Sequence, residues 1–189
     1  MSNAKKVLRS LVVVGVIGAV ATAGAFSAFS SQTDNPNNTI TAGTVSIQDN
    51  DAAGALYNIG LAKPNDPKAN CIEVEYTGSL PADVHLYRVP GALGSLGTYA
   101  NIKVEYGTQA SPSFPSCTGF NSAGTLYDGD LPGFETTYGG GYAATPGVDG
   151  DWDQNEKLVY RVTVSIDDDS NAEGLTTGTH SLRWETRNQ

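Results

Sequence analysis

Alternation of apolar and polar positions is the strongest pattern in the chain. "CIEVEYT" at Cys71–Thr77 sets Ile72, Val74 and Tyr76 against Glu73 and Glu75. "NIKVEYG" at Asn101–Gly107 sets Ile102, Val104 and Tyr106 against Lys103 and Glu105. "LVYRVTVSID" at Leu158–Asp167 places Leu158, Tyr160, Val162, Val164 and Ile166 on one side, and "HSLRWET" at His180–Thr186 does the same with His180, Leu182 and Trp184. A period of two means strands with one buried face and one wet face. Weaker alternation predicts further strands at Thr39–Gln48, Ala55–Leu61, Ala82–Val89 and Thr125–Tyr127. Most of the 22 glycines stand between these runs, and no comparable helical stretch follows the N-terminal segment. Short strands separated by turn residues predict an all-β fold, a jelly-roll-like antiparallel β-sandwich. Its two sheets should enclose Tyr76, Tyr106, Tyr160 and Trp184. Parallel α/β order is disfavoured, because nothing offers crossover helices.

Two regions depart from that rhythm. Residues 107–156 are rich in Gly, Ser, Pro, Thr and Asp and are expected to be a loop-rich insertion within the 40–189 domain. Long loops of this kind are either functional or freely varying surface. The N-terminus reads as an export signal over residues 1–27. Lys5, Lys6 and Arg9 precede an uncharged run whose apolar centre is "LVVVGVIGAVATAGAF", Leu11–Phe26. Small-x-small pairs for cleavage stand at Ala21/Ala23 and Ala25/Ser27. The same run is near the lower end of the about 17–25 residues of a membrane span, so a retained anchor is the competing reading.

Charge and cysteine usage narrow the function. The chain carries a net charge of −9. Without residues 1–27 it loses three cations and no anions and becomes more negative still. Such a chain repels nucleic-acid phosphates and anionic lipid, so no nucleic acid is expected as partner. Cys71 and Cys117 are the only cysteines, and both fall in the exported part. An even count in an oxidising compartment points to one disulfide closing a loop of about fifty residues, worth ~3–4 kcal/mol in the chain-entropy model. Zinc is the alternative, but only His85 and His180 could join the cysteines, and the spacing is not that of a zinc site.

Candidate chemistry is sparse. The sequence has no HExxH, no GxSxG and no GxxxxGK[ST]. His85 and His180 both fall in predicted strands, as structural or solvent-facing side chains. The one candidate metal site is "DGDWDQNE", where Asp149, Asp151, Asp153 and Asn155 alternate and Glu156 follows. Calcium takes six to eight oxygen ligands, and closely spaced carboxylates supply them. However, Gln154 stands where an EF-hand loop needs Gly and Tyr160 where it needs Glu. A solvated acidic turn is the plainer reading. No resident cofactor is otherwise expected.

The signal ending in "GAFSAFSS", "ITAGTVSI" at Ile40–Ile47, "LAKPNDPKANCIEVEYTGSLPADVHLY" at Leu61–Tyr87 and the closing "RVTVSIDDDSNAEGLTTGTHSLRWETRNQ" together resemble the TasA/camelysin family of exported bacterial proteins. The AF pair Ala28–Phe29 followed by Thr41–Thr44 is the most specific part. Asn65 replaces the usual Gly in the Pro64–Asp66 turn, a residue that also tolerates the left-handed conformation. The middle of the chain carries no resemblance. The resemblance implies export through a SipW-type signal peptidase, cleavage between Ser27 and Ala28, and a secreted, non-enzymatic subunit of a biofilm matrix fibre at the bacterial cell surface. It further implies a head-to-tail homopolymer, with accessory matrix proteins as further partners. Residues 28–39 would act as the donor strand, with Ala28, Phe29, Ser30, Ser31, Thr39 and Ile40 as assembly residues. The polar tract Ser30–Asn38 also fits a plain flexible leader.

Two other functions compete. One is a cell-surface binding module of carbohydrate or adhesin type, calcium-assisted, using Tyr138–Tyr142 and Trp152 as aromatic platforms. The other is a camelysin-like metalloprotease, which the absence of a zinc motif disfavours.

Overall fold

The computed structural model describes residues 39–188. The expected signal at 1–27, the cleavage position Ser27/Ala28 and the assembly residues Ala28–Ser31 lie outside the described residues. Residues Met1–Thr41 form one unit and Ala42–Gln189 another, and the fold below is that of the second.

Eight strands make two antiparallel sheets: β1 Ile47–Asp49, β2 Lys68–Tyr76, β3 Ala82–Arg88, β4 Ala100–Gln109, β5 Phe120–Asp130, β6 Tyr142–Ala143, β7 Lys157–Ile166 and β8 Leu182–Asn188. The larger sheet has the order β1-β2-β7-β4-β5 and the smaller β6-β3-β8. The chain passes back and forth between the sheets in jelly-roll-like fashion, and only β1–β2 and β4–β5 are consecutive neighbours within one sheet. The all-β antiparallel sandwich therefore holds. Among the described residues no helix is long and apolar enough to cross a membrane.

The alternating runs do what their period demands. Ile72, Val74 and Tyr76 of β2, Ile102 and Val104 of β4, and Leu158, Tyr160 and Val162 of β7 turn inward to meet Val84 and Leu86 of β3. Tyr76 and Tyr160 are fully buried, whereas Tyr106 and Trp184 are half-buried at the margin of the same core.

Three expectations are corrected. No strand forms at Ala55–Leu61: Leu56 and Tyr57 tuck against the core from a loop, while Leu61 stays exposed. Gly54, Gly60 and Pro64 bracket that stretch, and such residues favour turns over ladders. The predicted strand at Thr39–Gln48 shrinks to Ile47–Asp49, and the carbonyls of Thr44 and Ser46 instead accept amides from Ser79 and Thr77. Residues 107–156 are more than a surface insertion. They contain the eleven-residue β5 and contribute Phe134 and Trp152, two of the largest fully buried side chains. Elsewhere Asn65 has φ of 59°, so the Pro64–Asp66 turn does take the left-handed conformation.

Candidate functional site

The outer face of the larger sheet carries one continuous row. Cys71 of β2 pairs with Arg161 of β7, and Arg161 pairs with Glu105 of β4. The Arg161 guanidinium holds Glu105 Oε2 at 2.6 and 2.8 Å and lies 4.7 Å from the centre of the Phe120 ring. Cys117 arrives over this row and forms the disulfide with Cys71, with Cα atoms 5.1 Å apart. The segment 110–119 is thereby strapped across the sheet. At its far end the Pro115 carbonyl accepts the Cys71 N–H at 2.9 Å, on the side of β2 that β1 leaves uncovered. Asn50 closes the next position through its side chain and backbone, both bonded to the Glu73 backbone. The strap and the 50s loop together cover the edge of β2 at Cys71 and Glu73, between the exposed Lys68–Ala69 and the part paired with β1.

The sheets end in two more edges of note. β5 runs along the larger sheet with its register against β4 broken twice, between Val104 and Glu105 and between Tyr106 and Gly107. A side chain at Gly107 would overlap the Asn121 carbonyl, so that irregular pairing depends on glycine. Irregular edges template poorly. The third edge, β8, is different. It pairs with β3 in unbroken register from Leu182↔Arg88 to Asn188↔Ala82, and its other side has no strand partner among the described residues. On its inward side, the Trp184 Nε1 and Thr186 Oγ1 atoms are buried without a hydrogen-bond partner.

Beside β4 and β7 of the larger sheet, a groove of about 480 Å³ is closed over by the 55–66 loop and by Thr176–His180, the segment that leads into β8. Ile102, Leu131 and Val164 form apolar lining, and Tyr57, His180 and Lys63 are polar. Tyr57 Oη and His180 Nε2 are 2.7 Å apart. Burial pushes the Tyr57 phenol up to about 12, against the opposing effect of the Arg88 cation. Burial also lowers the His180 pKa; the Gly178 carbonyl opposes this and the Arg88 charge adds to it. Arg88 is buried, and among the described residues it has no carboxylate partner. One guanidinium nitrogen donates to the carbonyls of Val89 and Gly91, while Nε is buried and unpartnered.

The residues singled out in the sequence fall in several places. Cys71 and Cys117 are joined as expected. The acidic stretch forms the turn into β7. Asn155 has φ of 70° and donates its N–H to the Tyr76 carbonyl, while the Glu156 carboxylate accepts the Asp153 N–H at 2.8 Å. Asp149 lies over Gly147, facing the Glu156 side of the turn, and Asp151 is half-buried. Among the described residues no three His, Cys, Asp or Glu side chains gather as a metal site. Thr39 and Ile40 are exposed. His85 stacks on the Tyr138 ring and is 2.8 Å from its carbonyl.

The aromatic platforms of the binding-module reading are committed elsewhere. Trp152 is fully buried and donates its indole N–H to the Ala144 carbonyl at 2.8 Å. Tyr142 packs on Phe134 and Tyr127, and Arg187 covers Tyr138 at 3.9 Å. Sequence reasoning passed over Arg88 and Tyr57. Arg88 had a signal, since Ala82, Val84, Leu86 and Arg88 share one face by alternation. Tyr57 had none, because its place depends on how a loop crosses the sandwich.

No protein-family model and no curated protein matches this chain, so the TasA/camelysin resemblance rests on its motifs alone.

Proposed function

We propose that this chain is a secreted, non-catalytic subunit of an extracellular matrix fibre, built by adding the N-terminal segment of one copy as a strand to the open edge of the next. The observation that carries this reading is the contrast among edges. β2 is covered by Pro115 and Asn50, and β5 is made irregular by two register shifts. β8 alone offers seven residues in straight register with one side unpaired among the described residues. Natural sandwiches guard such edges, because a free ladder recruits another strand through its main-chain groups. Supplying the strand from the next copy makes a head-to-tail contact that does not close, which propagates as a filament.

Electron microscopy of the chain beginning at Ala28, with and without residues 28–38, tests the reading. Threads are expected from the longer form only. Equal polymerisation of the shorter form, or none from either, refutes it.

A further inference from the structure

The open edge of β8 carries a charge pattern that main-chain pairing alone does not call for. Val89 donates its N–H to the Ser181 carbonyl at 2.8 Å, and β3 and β8 then pair residue by residue from Arg88↔Leu182 to Ala82↔Asn188. Hydrogen-bonded and non-hydrogen-bonded pairs alternate along such a ladder. Ser181, Arg183, Glu185 and Arg187 therefore turn their main-chain groups toward β3, and Leu182, Trp184, Thr186 and Asn188 turn theirs to the free side. Side chains alternate too. Arg183, Glu185 and Arg187 stand in one row on the outer face, with signs plus, minus, plus, while Leu182, Trp184 and Thr186 are half-buried on the inner face.

A row of one sign would repel a second copy in every register, whereas a row of alternating sign complements itself. Two copies of β8 laid antiparallel can match their free main-chain groups about Trp184, Glu185 or Thr186. Centring on Glu185 sets Arg183 against Arg187 and Glu185 against itself, and like charges directly opposite destabilise a sheet. Centring on Trp184 sets Arg183 of each copy against Glu185 of the other, at non-hydrogen-bonded positions where side chains stand closest. It also pairs Leu182 with Thr186 and joins the two Trp184 rings, each of which already packs on Tyr160 at 5.3 Å. Centring on Thr186 uses less of the strand. Arg183 is free for such a pair: it is exposed, forms no ion pair among the described residues and reaches only the Tyr87 hydroxyl at 3.5 Å. Glu185 accepts from Tyr87 and Arg187, and a carboxylate has room for a further donor.

We propose that β8 is also the interface of a twofold dimer: two copies join their β8 edges antiparallel about Trp184, and the reciprocal Arg183–Glu185 pairs fix the register. The two three-stranded sheets become one of six strands. Such a contact uses the same patch on both copies and closes on itself. The dimer goes beyond the fibre reading and stands without it. A donor segment and a second β8 cannot share the edge, so the dimer is a capped form from which fibres do not grow. One ladder with two exposed ion pairs is a small interface, which suits a contact that must give way to a donor.

Sedimentation velocity on the chain beginning at Ala28, and on the form without residues 28–38, tests the interface. A concentration-dependent monomer–dimer equilibrium is expected in both, below the onset of fibres in the first. Arg183→Glu sets glutamates against each other at both pairs and should raise the dimer dissociation constant about tenfold or more, while adding Glu185→Arg exchanges the signs and should restore it. A cross-link guards against a folding loss at Glu185. Chains with Arg183→Cys mixed with chains with Glu185→Cys should form a mixed disulfide faster than either variant alone. Faster trapping of Arg187→Cys with Glu185→Cys would overturn the register. Monomers at every concentration, or a dimer indifferent to Arg183→Glu, overturn the inference and leave the fibre reading standing. A dimer that follows the charge exchange, with no threads from either form, removes the fibre reading and leaves the interface in place.

Discussion

Removing the disulfide by Cys71→Ala with Cys117→Ala should weaken the sandwich by an amount the connectivity sets. The bridge joins residues 46 positions apart. In the chain-entropy model a loop of that length is worth about 4 kcal/mol. For a domain of this size, each kcal/mol moves the melting temperature by roughly 2–4 °C, so a fall of about 8–16 °C is expected. The bridge also has a local role, because it fastens the 110–119 strap whose Pro115 carbonyl caps the free edge of β2. Release should uncover that edge next to the exposed Lys68 and Ala69, and the strap should become a preferred site of proteolysis. Calorimetry of the wild-type and doubly substituted chains, in the same oxidising buffer, reads the first effect. Limited trypsin-independent proteolysis, for example with elastase, followed by mass spectrometry reads the second. A melting temperature within about 3 °C of wild type, with no new cleavage between residues 110 and 119, would refute both the loop-entropy account and the strap's role.

Three further outcomes are expected. Trp152→Ala should cost about 3–5 kcal/mol in urea unfolding, since it empties the largest core site and leaves the Ala144 carbonyl unpaired; a loss below 1 kcal/mol contradicts the assigned core. Glu105→Ala strands Arg161 beneath Phe120 and should cost about 1–3 kcal/mol, discounted for the partial exposure of Arg161; a pH-independent loss identical to that of Glu73→Ala would show the pair to be no more than a surface contact. At alkaline pH, burial holds Tyr57 and Tyr127 up to about 12 and raises Tyr160 above its ordinary 10. Folded values above the unfolded one mean this stability is fully present below about pH 10 and is lost as pH climbs through 10 towards 12. Absorbance at 295 nm should therefore show late-titrating tyrosines in the native chain that revert to about 10 in denaturant; simultaneous titration of all nine near 10 in the folded protein would contradict the burial.

Much of the framework could be read from local pattern. Runs such as "CIEVEY" and "LVYRVTV" have one solution in water, because alternating side chains point to opposite faces and only one face is apolar. Those strands formed within a few residues of their predicted ends. β5 was largely hidden. "FNSAGTLYDGD" is poor in β-branched residues, and its strand state follows from pairing with β4 rather than from its own preference. Trp152 misled in the opposite direction, since acidic neighbours in sequence suggested exposure while the loop carries the indole into the core.

The sequence by itself determined the all-β class, the inward faces of the major strands and the two half-cystines available to pair. These follow from periodicity and composition, which are local properties. Which edge remained open was decided by tertiary structure, because covering β2 required Pro115 and Asn50 to arrive from distant loops. Tertiary structure likewise brought Tyr57 to His180, 123 positions away, beside a buried Arg88. Non-local meetings of this kind depend on how the two sheets stack and on which loops cross their ends, and no short window of sequence encodes either.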